Sequence, residues 1–430
     1  MKMGHNKKSA WGWIPTLYFA EGLPNVLVTI VAVTMYMQLG MSDTEIALYT
    51  SWLNLPWIFK FLWSPLVDLY RTKRWWVCLM QLLIGASLAG VAFTLNASFW
   101  FQGTMCCFFL MAFASATHDI AADGYYMLQL DDHEQSFFVG IRNTFYRIAV
   151  IFGQGGMVAL AGLLQKHFDG KAFTWSLVFY GLTGLFIALW LYHSVALPHA
   201  AADSRNNTSA ADVMRGMVAM IGSFFTKLPV KAIVCSLLFI MLYRFPEAML
   251  SKMSTTFLQR PASEGGLALT PVEFGIANGT VGLIGLLLGG ILGGWLASRD
   301  GLKKWLWPFV VALTLPDLVY VYMSYALPDN MLLISTLLFI EQLGYGLGFT
   351  ALTLFMLYFA QGEFKTSHYA ICTALSYLGM TLPGMVSGWL KDMLGYQHYF
   401  ILVMVFCLIT FVVAAMVRID PEFGKKKAGE

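Results

Sequence analysis

The stretch Ser115-Ala-Thr-His-Asp-Ile-Ala-Ala-Asp-Gly-Tyr-Tyr126 closes an apolar run that begins near Trp100. The run is long enough to cross a bilayer, which takes about 20 apolar residues. Asp119 and Asp123 stand in its last turns, four residues apart. A helix therefore carries both on one face, roughly 6 Å apart along its axis. A bare carboxylate is costly in lipid, so the pair is expected to face protein or a watery cavity. Acids inside a membrane span are rare without a task, which favours a proton or substrate relay over an ion pair that only locks helices.

The rest of the chain agrees with a membrane setting. Of its 430 residues 58% are hydrophobic and only 12% are charged, against about 25% charged in soluble domains. Mean hydropathy is +0.65. This is a polytopic membrane protein, not a soluble enzyme. The net charge of +3 says little about partners until the charges are placed on the two sides of the membrane. Cys78, Cys106, Cys107, Cys235, Cys372 and Cys407 all fall in apolar runs without metal-ligand spacing, so they read as inert thiols. No metal, cofactor or nucleic acid is expected, and the chain is expected to act as a monomer. Lys2, Lys7 and Lys8 precede an apolar stretch too long for a signal peptide, which is expected to be an uncleaved first span.

Twelve candidate spans follow one another at about 13–39, 45–67, 76–95, 100–126, 137–164, 174–197, 231–258, 271–297, 305–326, 331–360, 367–390 and 398–418. The polar segment 198–230 is the one long connection. The expected organisation is an all-α membrane protein with a six-helix bundle over 1–197, a cytoplasmic linker over 198–230, and a second six-helix bundle with a short basic tail over 231–430. With the N-terminus inside, the cytoplasmic segments carry eighteen Lys and Arg residues and the outer loops four. That asymmetry places both termini in the cytoplasm.

The two halves repeat one another. After span 2 comes Ser64-Pro-Leu-Val-Asp-Leu-Tyr-Arg-Thr-Lys-Arg74, and after span 8 comes Gly294-Trp-Leu-Ala-Ser-Arg-Asp-Gly-Leu-Lys-Lys304. Each sets a polar residue, Asp68 or Ser298, five before a basic one, Lys73 or Lys303. This resembles the G-x-L-x-D-R-x-G-R-K signature in the 2–3 loop of the major facilitator superfamily. The resemblance implies two pseudo-symmetric six-helix bundles, with spans 1, 4, 7 and 10 lining a central cavity. The buried charges fall mainly on those spans: Glu21 on span 1, Asp119 and Asp123 on span 4, Arg244, Glu247 and Lys252 on span 7, Glu341 on span 10. Asp317 on span 9, beside Pro316, is an exception that suggests a local helix break.

Several strings narrow the likeness. Lys60-Phe-Leu-Trp-Ser-Pro-Leu-Val-Asp-Leu-Tyr70 is similar to the K-F-L-W-(S/A)-P-L-x-D signature of AmpG-type muropeptide permeases and related acetyl-CoA transporters. Glu21-Gly-Leu-Pro24, Ser115 to Asp123, Ser254-Thr-Thr-Phe-Leu258 and Glu341-Gln-Leu-Gly-Tyr-Gly-Leu-Gly348 resemble further elements of that family in order. The resemblance implies import of peptidoglycan fragments, anhydro-muropeptides or their GlcNAc-anhydro-MurNAc disaccharide, from periplasm to cytoplasm. It implies coupling to protons, a place in the bacterial inner membrane, and a function for the paired aspartates matched by Asp119 and Asp123. A transporter of the same fold for an acyl-CoA, a drug or a siderophore is the alternative. An intramembrane enzyme would want a motif such as H-E-x-x-H or G-x-S-x-G, and neither is present.

Alternating access needs a binding site near mid-bilayer and two gates. Arg244 lies about 13 residues into span 7, roughly 20 Å along the helix. Its planar fork of donors suits a substrate carboxylate, unless it is consumed by Glu247 or Glu341. Candidate substrate contacts are Arg244, Glu247, Lys60, Tyr243, Gln342 and Tyr345. Candidate proton-coupling groups are Asp119, Asp123, Glu21 and Glu341. Candidate gate or ion-pair residues are Asp68, Arg71, Arg142, Arg147 and Arg299, with at least one contact expected between the span 4 aspartates and Arg142 or Arg147. Gly282, Gly285, Gly289, Gly290, Gly293 and Gly294 make a small-residue face for close helix packing, not a phosphate loop.

Overall fold

The computed structural model describes residues 7–41, 49–50, 52–199 and 210–425, apart from the side chains of a few helical positions among them. Ten helical runs among them are long and apolar enough to cross a membrane: Ala10–Gln38, Lys73–Thr94, Trp100–Gln129, Asp132–Leu164, Lys171–Ala196, Val230–Gln259, Gly275–Asp300, Leu302–Ala326, Met331–Ala360 and Val386–Met416. They coincide with ten of the twelve expected spans. Span 2 begins on residues outside the described set and continues as short helical pieces at Leu55–Phe59, Lys60–Leu62 and Ser64–Leu69. Pro56 and Pro65 open two of these pieces, where a missing N–H does no harm. Span 11 runs on into span 12 within Lys365–Met416, and the change of direction falls at Gly395, whose φ of 68° suits glycine.

Local chemistry sets the helix starts. The Thr72 hydroxyl accepts the Trp75 N–H at 3.1 Å ahead of span 3. The Asn330 side chain takes the N–H groups of Leu332 and Leu333 at 2.9 and 3.2 Å ahead of span 10. Thr270 and Glu273 exchange hydrogen bonds as a capping box ahead of span 8. Span 7 is not one helix. It breaks between Val230–Leu242 and Phe245–Gln259, with Arg244 outside helical geometry and Pro246 in the first turn of the second piece. Span 9 breaks likewise at Leu315–Asp317. The linker, apart from residues 200–209, which lie outside the described set, contains a helix, Ala210–Thr226.

Two compact units divide the contacts. The first holds residues 1–129, 142–220 and 364–370, and the second holds 130–141, 221–363 and 371–430. In the first, span 4 packs along spans 1 and 3, and span 6 against span 3. In the second, span 10 packs along spans 8 and 9. Lipid tails are as apolar as leucine, so helices associate by close van der Waals fit. The glycines of span 8 supply that fit: a Cβ on Gly285 would come within 2.6 Å of the Phe339 carbonyl oxygen, and one on Gly289 would run into that of Leu343. The far end of the second unit is an aromatic and aliphatic core of Phe257, Tyr320, Tyr396, Tyr399 and Phe400.

Candidate functional site

Charged side chains gather in two places, one in each unit. In the first unit, Glu21, Asp119 and Asp123 bring carboxylate oxygens within 4.8 Å of one another. The i, i+4 spacing on span 4 delivers the two aspartates to one face. Gly22 delivers Glu21, because span 1 lies so close to span 5 that a Cβ there would stand 2.8 Å from the Tyr146 carbonyl oxygen. Lys60 forms an ion pair with Asp119. Arg142 pairs with Asp123 at 2.9 Å, which is the expected contact between spans 4 and 5. Tyr18 donates to Asp123 at 3.2 Å. Arg147 is half-buried and makes no ion pair among the described residues.

Arg142 is packed among aromatic rings and bonded through Nη2, while its Nε and Nη1 have no hydrogen-bond partner among the described residues. Its guanidinium lies 4.6 Å from the ring of Tyr18 and 4.9 Å from that of Tyr126, and it donates to the Tyr369 hydroxyl at 3.0 Å. Such faces favour a cation most when water is excluded. Lys60, a candidate substrate contact, is buried against Asp119 within this cluster, its ammonium already engaged.

Beside the cluster lies a network that the sequence reading did not single out. The Gln81 amide nitrogen is 3.0 Å from His118 Nε2 and 2.9 Å from His193 Nδ1. His193 Nε2 is 3.0 Å from the Thr16 hydroxyl. His193 Nδ1 also lies 3.1 Å from the Gln81 amide oxygen, so Gln81 can pair with that ring nitrogen as donor or as acceptor. The network ties spans 1, 3, 4 and 6 together. Three strongly polar side chains within apolar spans were the available signal, but they are scattered over 112 residues.

The first unit also contains Asp68, just past the expected limit of span 2. Its carboxylate pairs with Lys73 at 2.8 Å and accepts from the Ser367 N–H at 2.9 Å and from the Ser367 hydroxyl. Burial pushes this carboxyl up, but Lys73 and the donors of Ser367 and Thr366 outweigh it and hold the group below the usual carboxylate range. Arg71 takes no part in this pairing: it is exposed, with a positive φ of 59°, and lies over Tyr70 and Trp75.

In the second unit, Glu247, Asp317 and Glu341 bring carboxylate oxygens within 4.8 Å of one another, all buried. The break at Pro316 turns Asp317 into this group, and Cys407 lies 3.8 Å from its carboxylate. Gln342 donates to Glu341 at 2.9 Å. Arg244 donates to the Tyr345 hydroxyl, and its guanidinium lies 5.1 Å from that ring and 4.8 Å from the ring of Phe349. It forms no ion pair among the described residues, and its Nε has no hydrogen-bond partner. Tyr243 is fully buried and donates to the Gly348 carbonyl at 3.2 Å, a helix-to-helix tie. Arg299 is exposed and pairs with Asp300 at 2.9 Å.

Known proteins share this architecture. The family profile of the Major Facilitator Superfamily matches residues 16–360 and 249–430. Over 390 residues the chain is 26% identical to the anhydromuropeptide permease of Escherichia coli strain K12, covering 90% of this chain and 75% of that one. It is 24% identical over 408 residues to a protein of Rickettsia conorii named transporter AmpG 4, covering 91% of this chain and 92% of that one. Among solved structures, the E. coli fucose:proton symporter FucP superposes with a TM-score of 0.67 at 12% identity, over 94% of this chain and 97% of that one. The proton:xylose symporter XylE, bound to 6-bromo-6-deoxy-D-glucose, does so with a TM-score of 0.64 at 10% identity, over 95% of each chain. At these identities the two structures speak for the fold alone. The profile match, with the all-helical fold and its buried charges, makes this multi-pass membrane chain a member of the major facilitator superfamily, a family of secondary transporters and not of enzymes.

Proposed function

We propose that the protein is a proton-coupled importer of peptidoglycan fragments, anhydro-muropeptides or their GlcNAc-anhydro-MurNAc disaccharide, of the AmpG type. It would work in a bacterial inner membrane with both termini in the cytoplasm, its halves 1–197 and 231–430 alternating access about the linker 198–230. The observation that carries the coupling is the charge balance around span 4: three clustered carboxylates, Glu21 and Asp123 buried and Asp119 half-buried, against two buried cations, Lys60 and Arg142. Low-dielectric surroundings penalise an uncompensated charge, so neutrality takes one proton. Glu21 is the carboxylate left over, and its Oε2 has no hydrogen-bond partner.

Loss of that proton makes Glu21 a third claimant on Lys60 and Arg142. The Lys60–Asp119 and Arg142–Asp123 pairs then weaken, and with them the hold of Arg142 on Tyr369 at the start of span 11. Substrate binding falls to Arg244, whose unused Nε edge suits a carboxylate of the sugar acid or the peptide stem. Tyr345 and Phe349 offer aromatic faces to sugar rings. The substrate class is supported by the quoted motifs and by the likeness to the anhydromuropeptide permease of E. coli.

The test is uptake of labelled anhydro-disaccharide, with and without a peptide stem, into right-side-out vesicles under an imposed pH gradient. Accumulation that collapses with a protonophore is the expected result. Absence of accumulation with a protein that is inserted and monodisperse would overturn the assignment of substrate.

A further inference from the structure

A cavity of about 490 Å³ lies in the second unit, where the first turns of Leu302–Thr314 meet the last turn of span 12 and the residues just after it. Its walls are mostly apolar. Leu306, Ala414 and Ile419 are buried, and Trp307 presents an exposed ring beside them. Lys303 and Arg418 line the same cavity, both exposed.

The neighbouring cations are already used. Arg299 and Lys304 both pair with Asp300, at 2.9 and 3.2 Å, and Lys425 pairs with Glu422 at 2.8 Å. Asp420, two residues from Arg418, accepts the Glu422 N–H at 2.9 Å. Lys303 and Arg418 have no ion pair and no side-chain hydrogen bond among the described residues. Two uncommitted cations over an apolar hollow, at the level where a span meets water, offer what a phospholipid needs. The cations take the phosphate, and the hollow beside Trp307 takes the upper acyl chain.

We propose that this cavity is a binding site for an anionic phospholipid, with its phosphate between Lys303 and Arg418 and its glycerol and acyl carbons against Trp307 and Leu306. Two positive charges around one phosphate leave an excess that repels the ammonium of a zwitterionic headgroup, a repulsion that an uncharged glycerol headgroup does not suffer. Such a lipid would join the start of span 9 to the end of span 12.

The test is native mass spectrometry of the full-length protein, taken from bilayers of phosphatidylcholine with a minority of phosphatidylglycerol. One retained phosphatidylglycerol is the expected result for the wild type. Lys303→Gln with Arg418→Gln should weaken retention about thirtyfold, whereas Lys304→Gln, whose ammonium is engaged by Asp300, should not. Ala415→Trp, which fills the hollow with both charges intact, should weaken it as well. Equal retention by the double variant, eluting as a single species, would overturn the proposal. So would an equal loss with Lys304→Gln, which would mean surface charge alone. Displacement of the lipid by inorganic phosphate at matched concentration would reassign the cavity to a soluble anion and also overturn it.

Discussion

Among single residues, the buried charges differ in their partners. Asp123 is held by Arg142 and Tyr18, and Asp119 by Lys60. Asp119→Asn or Asp123→Asn should abolish proton-driven uptake while the protein still inserts, and undiminished uptake would remove them from the mechanism. Glu21→Gln mimics the protonated state. It should eliminate accumulation against a gradient but retain exchange of labelled for unlabelled substrate, measured as counterflow. Arg142→Ala leaves Asp123 buried beside a missing cation. Removing one partner of such a pair costs about 3–5 kcal/mol, visible as a large fall in melting temperature in detergent. Arg244→Ala should weaken apparent substrate affinity far more than it lowers that temperature. Lys at the same position should restore only part of it, since an ammonium lacks the fork.

At the element scale, the spans are placed by small residues and by breaks. Gly289 faces the Leu343 backbone so closely that no side chain fits. Gly289→Leu should force spans 8 and 10 apart and destabilise the second unit by about 1–3 kcal/mol, read as a lower melting temperature. Gly275, at the start of the same span, has open space at its Cβ position, and Ala there should be neutral. The glycine face was legible in the sequence as a spacing of small residues. The helical segment Ala210–Thr226 was not, because its polar and small residues mask a face that carries Met220 and Phe224 inward. The break in span 9 was legible at Pro316. Its consequence, that Asp317 joins Glu247 and Glu341, was not.

At the scale of the whole molecule, residues 364–370 are drawn into the first unit through Asp68 and Arg142. The Asp68 carboxyl is held below the usual carboxylate range by Lys73 and Ser367. A group depressed on folding stabilises the folded state above its unfolded pKa, and that stability is lost as pH falls through the folded pKa. The melting-temperature gap between wild type and Asp68→Asn should therefore stay constant from neutral pH down to about 4 and narrow below it. A gap that widens on acidification would show that Asp68 is not the depressed group.

Composition and helical period alone were enough to read the membrane setting, ten of the described spans, the glycine-lined helix and the placement of acids within apolar runs. Each is a sum of local transfer energies or a fixed helical period, and such quantities add along a chain. That Lys60 pairs with Asp119, that Asp68 takes Lys73 and Ser367 while Arg71 turns outward, and that Gln81 joins two histidines emerges from the packing of the helices. Those pairings depend on how each helix is rotated against its neighbours. A rotation of a few tens of degrees exchanges one partner for another and leaves every local property of the sequence unchanged.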